Sequence, residues 1–414
     1  MMKKIVIIGG GIIGLCSAYY LQESGCSVTV IDKSTMRSGA SFVNAGFLTP
    51  SHFSPLAAPG MIRKGLQWML DPKSPFYVKP RLDLDFLKWS WLFYKSSTKA
   101  HVQQSIRPIK NINLLSTELY KDMLNVTDMQ FQLENKGLLM CFKTPEAAEE
   151  EIKLSKIALK EGLNVQYLNK TELQKLQPKA NYNALGAFHY LCDSHMTPGN
   201  FMETLKKHLH QKGVIFKTDQ EVISLERKGD EIHKVRTKTH TFEADEFILA
   251  AGSWSPYLAK HLSINIPVQA GKGYCINTKQ ETGITIPAIL VEAKVAVTPM
   301  EHFTRFSGTM EIAGINHRIN PVRVQSIAAA ASKFYTGFHL SEAEQKEAVC
   351  GLRPVSPDGL PYIGKSSHIK NLTFATGHAM MGWSLGPATG KLVEEIILEK
   401  KPSMDILPFS PDRF

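Results

Sequence analysis

Residues 350–364 read CGLRPVSPDGLPYIG. Pro354, Pro357 and Pro361 hold φ near about −65° and lack an N–H, and turn glycines flank them. One cation, Arg353, sits in this stiff segment. An arginine on a rigid turn is either a surface charge or a fork aimed at one anion. Its planar donors match a carboxylate bidentately. The structural alternative is an arginine that satisfies turn carbonyls.

A second chemistry-bearing pattern opens the chain. Residues 3–8, KKIVII, form an apolar, β-branched run suited to a central parallel strand. GGGIIG follows, with Gly9, Gly11 and Gly14 in GxGxxG register. Next come a helix pattern stopped by Gly25, a strand over 27–31, and Asp32, eighteen residues after Gly14. This order is the dinucleotide-binding arrangement. Gly9 permits the tight turn, Gly11 the approach of a pyrophosphate, and Gly14 the packing of helix on strand. The helix N-terminus supplies N–H donors. Asp32 is expected to accept from ribose hydroxyls, with Ile13 and Lys33 beside it; otherwise it is a strand-end turn residue. The fingerprint does not choose between NAD and FAD. The small residues of GASFVNAGFLTP, 39–50, favour a large flat ring lying against backbone.

These residues need a scaffold. The uncharged run 5–21 resembles a signal peptide or a span, but four glycines and the polar Gln22 and Glu23 favour strand, turn and helix. Residues 55–125 read as helical and aromatic-rich, 136–144 as a strand and 145–162 as a helix. Thr197 and Pro198 start a further helix. Strands are expected at 213–218 and 221–226. FILAAGSWSP, 247–256, returns to the nucleotide sheet. Alternating strands follow from 267 to 314, then a helix over 341–350, and last a strand, a turn and a long helix.

The expected fold is an α/β Rossmann-like domain in discontinuous segments, 1–60, 193–266 and 348–414. An α+β substrate domain with a large mixed or antiparallel sheet takes 61–192 and 267–347. A chain of 414 residues calls for two domains. The hydrophobic share of 43% and charged share of 21% are those of a globular protein. The net charge of +10 is spread without a block, which reads as a basic surface, and no nucleic-acid motif accompanies it. The six cysteines show no CxxC or zinc spacing, so free thiols, no metal and a cytoplasmic setting are expected.

SFVNAGFLTP, AAPG at 57–60, LAAGSWSP, KGY at 272–274, GTMEIAG, GLRPVSPDGLPYIG and TGHAMMGW occur in that order. Together they resemble the D-amino acid dehydrogenase small subunits, within the FAD-dependent amine and amino acid oxidoreductases. The resemblance spans nearly the whole chain. It implies FAD, non-covalent rather than covalent. Ser41, Asn44, Ala45 and Gly46 would line the flavin and Val222 would meet the adenine. Ala251, Gly252 and Trp254 would flank the cofactor, and Gly377, His378, Met381 and Gly382 would lie by the pyrimidine edge. Arg353 would pair with the substrate carboxylate. Tyr274, His378 and His52 are further catalytic candidates, each with a packing alternative. Ala296 stands where oxidases of the family carry an aromatic, which implies the dehydrogenase branch. Cys350 stands where sarcosine oxidases link to flavin.

The implied reaction is oxidation of a small D-amino acid, D-proline and D-hydroxyproline included, by hydride loss from the α-carbon. A quinone or carrier protein would take the electrons. The basic, aromatic stretch between 61 and 99 allows a peripheral membrane contact, or else packs as core and lid helices. A glycine or sarcosine oxidase, a subunit of a larger dehydrogenase complex, and a flavin-binding protein without turnover remain alternatives.

Overall fold

The computed structural model describes residues 2–61, 65 and 74–414. Lys4–Ile8 is the centre of a parallel sheet, between Ser27–Ile31 and Glu246–Leu249. Ile215–Lys217 and Leu372–Thr376 extend it in parallel, and Tyr362–Lys365 closes one edge antiparallel. Ile5, Ile7, Val28, Val30 and Ile248 are buried on one face and Val6, Ile8, Phe247 and Leu249 on the other, because both faces are covered. Helices Ile12–Glu23, Pro198–Gln211 and Gly386–Ile397 cover one face. A Cβ on Gly390 would lie 2.5 Å from the Cys16 carbonyl oxygen, so a glycine is needed where the first and last of these helices meet. The other face carries a three-stranded sheet, Val222–Lys228, Glu231–Thr237 and Thr241–Phe242.

The second layer is a nine-stranded mixed sheet. Its order begins Val349–Val355, Gln269–Thr278, Thr304–Ile312, Val295–Pro299 and Ala288–Leu290. It continues with Leu138–Phe142, Gly186–Tyr190 and Val165–Asn169, while Phe76–Val78 pairs alongside Thr304–Ile312. Gln269–Thr278, Thr304–Ile312 and Gly186–Tyr190 are buried almost throughout, so both faces of this part of the sheet are covered. Helices Leu84–Ser96 and Lys99–Leu124 fill the aromatic region. Phe86 and Trp89 pack onto Met310, Ile312 and Val355, and Trp89 Nε1 donates to the Val355 carbonyl at 2.9 Å.

Three expectations are corrected. Arg353 lies within the strand Val349–Val355, ahead of the SPDG turn, because its neighbours spend their backbone groups on the ladder to Gln269–Thr278. That strand therefore joins the nine-stranded sheet, although the expected boundary at 348 puts it in the cofactor domain. The helix expected over 341–350 is Glu342–Lys346, closed by a Ser341–Glu344 capping box, and strand begins at Val349. The helix Pro321–Phe334 was not anticipated. Residues 62–64 and 66–73, part of the stretch with the membrane alternative, lie outside the described residues. Among those described, no helix is long and apolar enough to cross a membrane.

Candidate active site

Both sheets contribute to one cavity of ≈ 1460 Å³, larger than most small-ligand pockets. Its nucleotide end is built from backbone. Gly9 has φ +113°, and a Cβ there would come 2.4 Å from the Ala250 carbonyl oxygen. A Cβ on Gly14 would lie 1.9 Å from the Gly9 carbonyl oxygen. Gly11, the N-cap of Ile12–Glu23, offers no side-chain acceptor. Ser41 supplies one from elsewhere, accepting from Ile12 N at 3.0 Å. The Asp32 carboxylate closes the loop: it accepts from Gly10 N at 2.7 Å and from Ser34 N at 2.8 Å. Lys33 Nζ lies 3.4 Å from the Trp254 ring centroid, and burial pulls its amine down. Ile13, Val222, Ala251 and Gly252 also line this end.

The small-residue loop lies in the middle. Asn44 Oδ1 accepts from Gly46 N at 2.8 Å. The Asn44 carbonyl accepts from Arg305 Nη1 at 2.6 Å, and the Ala45 carbonyl from Thr298 Oγ1 at 2.8 Å. Arg305 and Thr298, from the nine-stranded sheet, thus hold the loop; the sequence reading passed over both. The available signal was the alternation of Arg305, Ser307 and Thr309 along one strand. Gly14, Gly46 and Gly377 do not line the cavity. Gly46 and Gly377 have φ +77° and +76°, and their Cβ atoms would strike the Met196 carbonyl and the Tyr362 ring. These glycines shape the wall from behind.

The far end is built from side chains. Arg353 Nη1 donates to the Thr309 carbonyl at 2.8 Å, and burial draws the guanidinium down to about 10. It remains charged at neutral pH. The Tyr274 hydroxyl donates to Glu311 Oε2 at 2.8 Å, while Lys272, 2% exposed, pairs with Glu311 Oε1 at 3.1 Å. Burial first, then Glu311, lifts the Tyr274 phenol above its usual range. His378 Nε2 meets Thr389 Oγ1 at 3.0 Å, and burial holds its imidazole down to about 3. Met381 and Gly382 line the same region. His52 is also on the cavity. Its Nδ1 is 3.1 Å from Ser51 Oγ, and burial, with Lys294, lowers it to about 4. Glu151, which the sequence reading missed, lines the cavity, and its Oε2 has no partner among the described residues.

Residues 4–396 match the FAD dependent oxidoreductase family. The chain belongs to the FAD-dependent oxidoreductases. It is 30% identical to the D-amino acid dehydrogenase of Helicobacter pylori, with 99% of each chain covered. It is 31% identical to that of Neisseria meningitidis serogroup C, with 96% of each covered. Its fold superposes on glycine oxidase from Geobacillus kaustophilus with a TM-score of 0.78, covering 100% of both chains at 21% identity.

The cavity fits this family's cofactor. A dinucleotide needs a side-chain-free cradle, and Gly9, Gly10 and Gly11 line the cavity with backbone alone. A polar ring needs donors and acceptors. His378 Nδ1, Trp383 Nε1 and Ser307 Oγ are buried on the cavity without a partner among the described residues. As in other FAD-dependent oxidoreductases, the site's chemistry is oxidation of a bound substrate.

Proposed function

We propose that this protein is a D-amino acid dehydrogenase. It oxidises a small D-amino acid at the α-carbon, and the electrons leave to an acceptor other than dioxygen. The observation that carries the reading is Arg353, a cavity cation whose partner among the described residues is a backbone carbonyl and not a carboxylate. The names of the full-length relatives support the substrate class.

FAD, when bound, supplies the two-electron oxidant. Gly9, Gly11, Ile13 and Ser41 cradle its phosphates, and Asp32 and Lys33 take the ribose. Val222 meets the adenine. Ala251, Gly252 and Trp254 flank it, and Asn44, Ala45, Met381 and Gly382 face the ring. It is held non-covalently, as the resemblance to the dehydrogenases implies, with Cys350 a half-buried thiol that burial pushes up.

Arg353 grips the carboxylate and fixes the direction of the Cα–H bond. Tyr274, tethered by Glu311, forms the wall beside it. No side-chain base is needed for this step, and the two candidates beside Arg353 are poor ones near neutral pH: His378 is held neutral with a very low affinity for protons, and Tyr274 keeps its own. The amine therefore arrives neutral from solvent, and kcat/KM climbs with pH toward the amine's own pKa. The imine product hydrolyses to a keto acid and ammonia, or persists if cyclic.

A quinone or a carrier protein takes the electrons. An exposed apolar face on Leu84–Ser96 supports a peripheral membrane contact: Leu84, Leu87, Trp91 and Tyr94 lie outward, with Lys88 and Lys95 among them. Sedimentation with anionic but not neutral vesicles checks this.

The central test is anaerobic. D- and L-amino acids, D-proline and glycine included, are added singly and the flavin band is followed. Bleaching by a D-substrate, slow recovery in air and fast recovery with a quinone analogue are expected. Arg353→Met should retain FAD and lose about a hundredfold or more in the bleaching rate. Fast recovery in air with peroxide would make the protein an oxidase instead.

A further inference from the structure

The strand Thr304–Ile312 breaks its ladder at one point. Lys272 stands opposite Glu311 and Tyr274 opposite Gly308, so Gly273 faces two residues, Thr309 and Met310. This is a β-bulge, a device that re-aims side chains beside active sites. Thr309 takes φ +64° there. A β-branched residue in the left-handed region is strained, and a glycine would relieve it. On the far side of the bulge, Met310 N donates to the Pro75 carbonyl at 2.8 Å.

The bulge meets Arg353. A Cβ on Gly273 would lie 2.2 Å from Arg353 Nη1, so the guanidinium lies across the bare backbone of the middle strand. It reaches the third strand, where the Thr309 carbonyl accepts from Nη1 at 2.8 Å. Thr309 is 9% exposed and lines the cavity, and its Oγ1 has no partner among the described residues. A buried hydroxyl in a native protein normally has one. The nearest acid on that strand, Glu311, is already held by Lys272 and Tyr274.

We infer that Thr309 Oγ1 donates a second, independent hydrogen bond to the substrate carboxylate, forming with Arg353 a two-residue anion site. A carboxylate has about four lone-pair sites, and a guanidinium fork takes two. The hydroxyl carried by the residue that anchors the fork is placed to take another. The ligand group is the carboxylate and not the amine, because the Arg353 charge attracts an anion to this spot and repels an ammonium. The inference rests on the carboxylate role of Arg353.

The test uses the FAD-loaded protein and 2-furoate, a planar carboxylate without an amine, titrated by its perturbation of the flavin spectrum. Thr309→Val should bind furoate about ten- to a hundredfold more weakly, the range for a hydrogen bond to a charged group. FAD content should be unchanged, and KM for the best D-substrate should rise more than kcat falls. Thr309→Ser should restore furoate affinity. If Thr309→Val does not fold, Thr309→Gly, which suits the backbone angle and lacks the hydroxyl, should show the same loss relative to Thr309→Ser. Arg353→Lys is run in parallel. Loss in Arg353→Lys with wild-type affinity in Thr309→Val overturns the Thr309 inference and leaves the Arg353 role standing. Wild-type affinity in both overturns the Arg353 role and the inference with it. Loss of FAD from Thr309→Val and Thr309→Gly, with furoate affinity intact in reloaded protein, would assign the hydroxyl to the cofactor and also overturn it.

Discussion

The two ends of the cavity are built by different means. At the nucleotide end the protein offers backbone: Gly9, Gly10 and Gly11 keep side chains away, Gly14 lets the helix close on the loop, and a helix start supplies N–H groups. At the far end it offers side chains, Arg353, Tyr274 and Thr309, carried on three neighbouring strands. Backbone recognition needs only a short contiguous segment in the right conformation. Side-chain recognition needs strands distant in sequence to settle into one register. The first tolerates almost no added atom, whereas the second can lose one group and keep its frame.

That contrast is testable, beginning with its most damaging change. Gly14→Val pushes carbon into the Gly9 carbonyl, and overpacking of this kind costs about 1–3 kcal/mol or more. The purified variant should carry no flavin absorption. A yellow Gly14→Val protein would break the comparison.

Tyr274→Phe should do much less. It leaves Glu311 Oε2 without its hydroxyl donor, at a cost of about 1–3 kcal/mol. FAD content should be unchanged and thermal unfolding a few degrees lower. An unchanged melting temperature would mean that Lys272 alone satisfies Glu311.

The smallest effect is a pH slope at the side-chain end. Burial raises the Glu151 carboxyl from 4.5 to about 7, with Lys294 partly opposing. A carboxyl that is protonated in the fold and ionised in the unfolded chain stabilises the fold fully below pH 4.5. That stability is lost as pH rises through about 7. The Tm of wild type relative to Glu151→Gln should therefore fall across that window and stay flat above it. A constant difference would show that Glu151 ionises in the fold as it does in the open chain.

Most of the nucleotide end was legible in the sequence. A βαβ unit is local, and its strand, glycines, helix and acid stand in chain order within 4–32. The resemblance named Arg353 and Tyr274, but the proline-rich surroundings of Arg353 suggested a turn where the structure has a strand. Pro354 fits within the strand because Val349–Val355 stands at the end of the sheet order. Arg305 and Thr298 were missed because their partners are carbonyls of a loop more than 250 residues away in sequence. Glu151 read as one more acid on a charged helix, since only packing against the cavity buries it.

By itself the sequence determined the cofactor cradle, the layered α/β class and the presence of one well-framed arginine. Each of these depends on φ preferences, periodicity and spacing over a few tens of residues. Tertiary structure alone decided what Arg353 faces. Sheet register laid it across Gly273 and against the Thr309 bulge. Register is a sum over many weak, long-range pairings, and no short segment contains it.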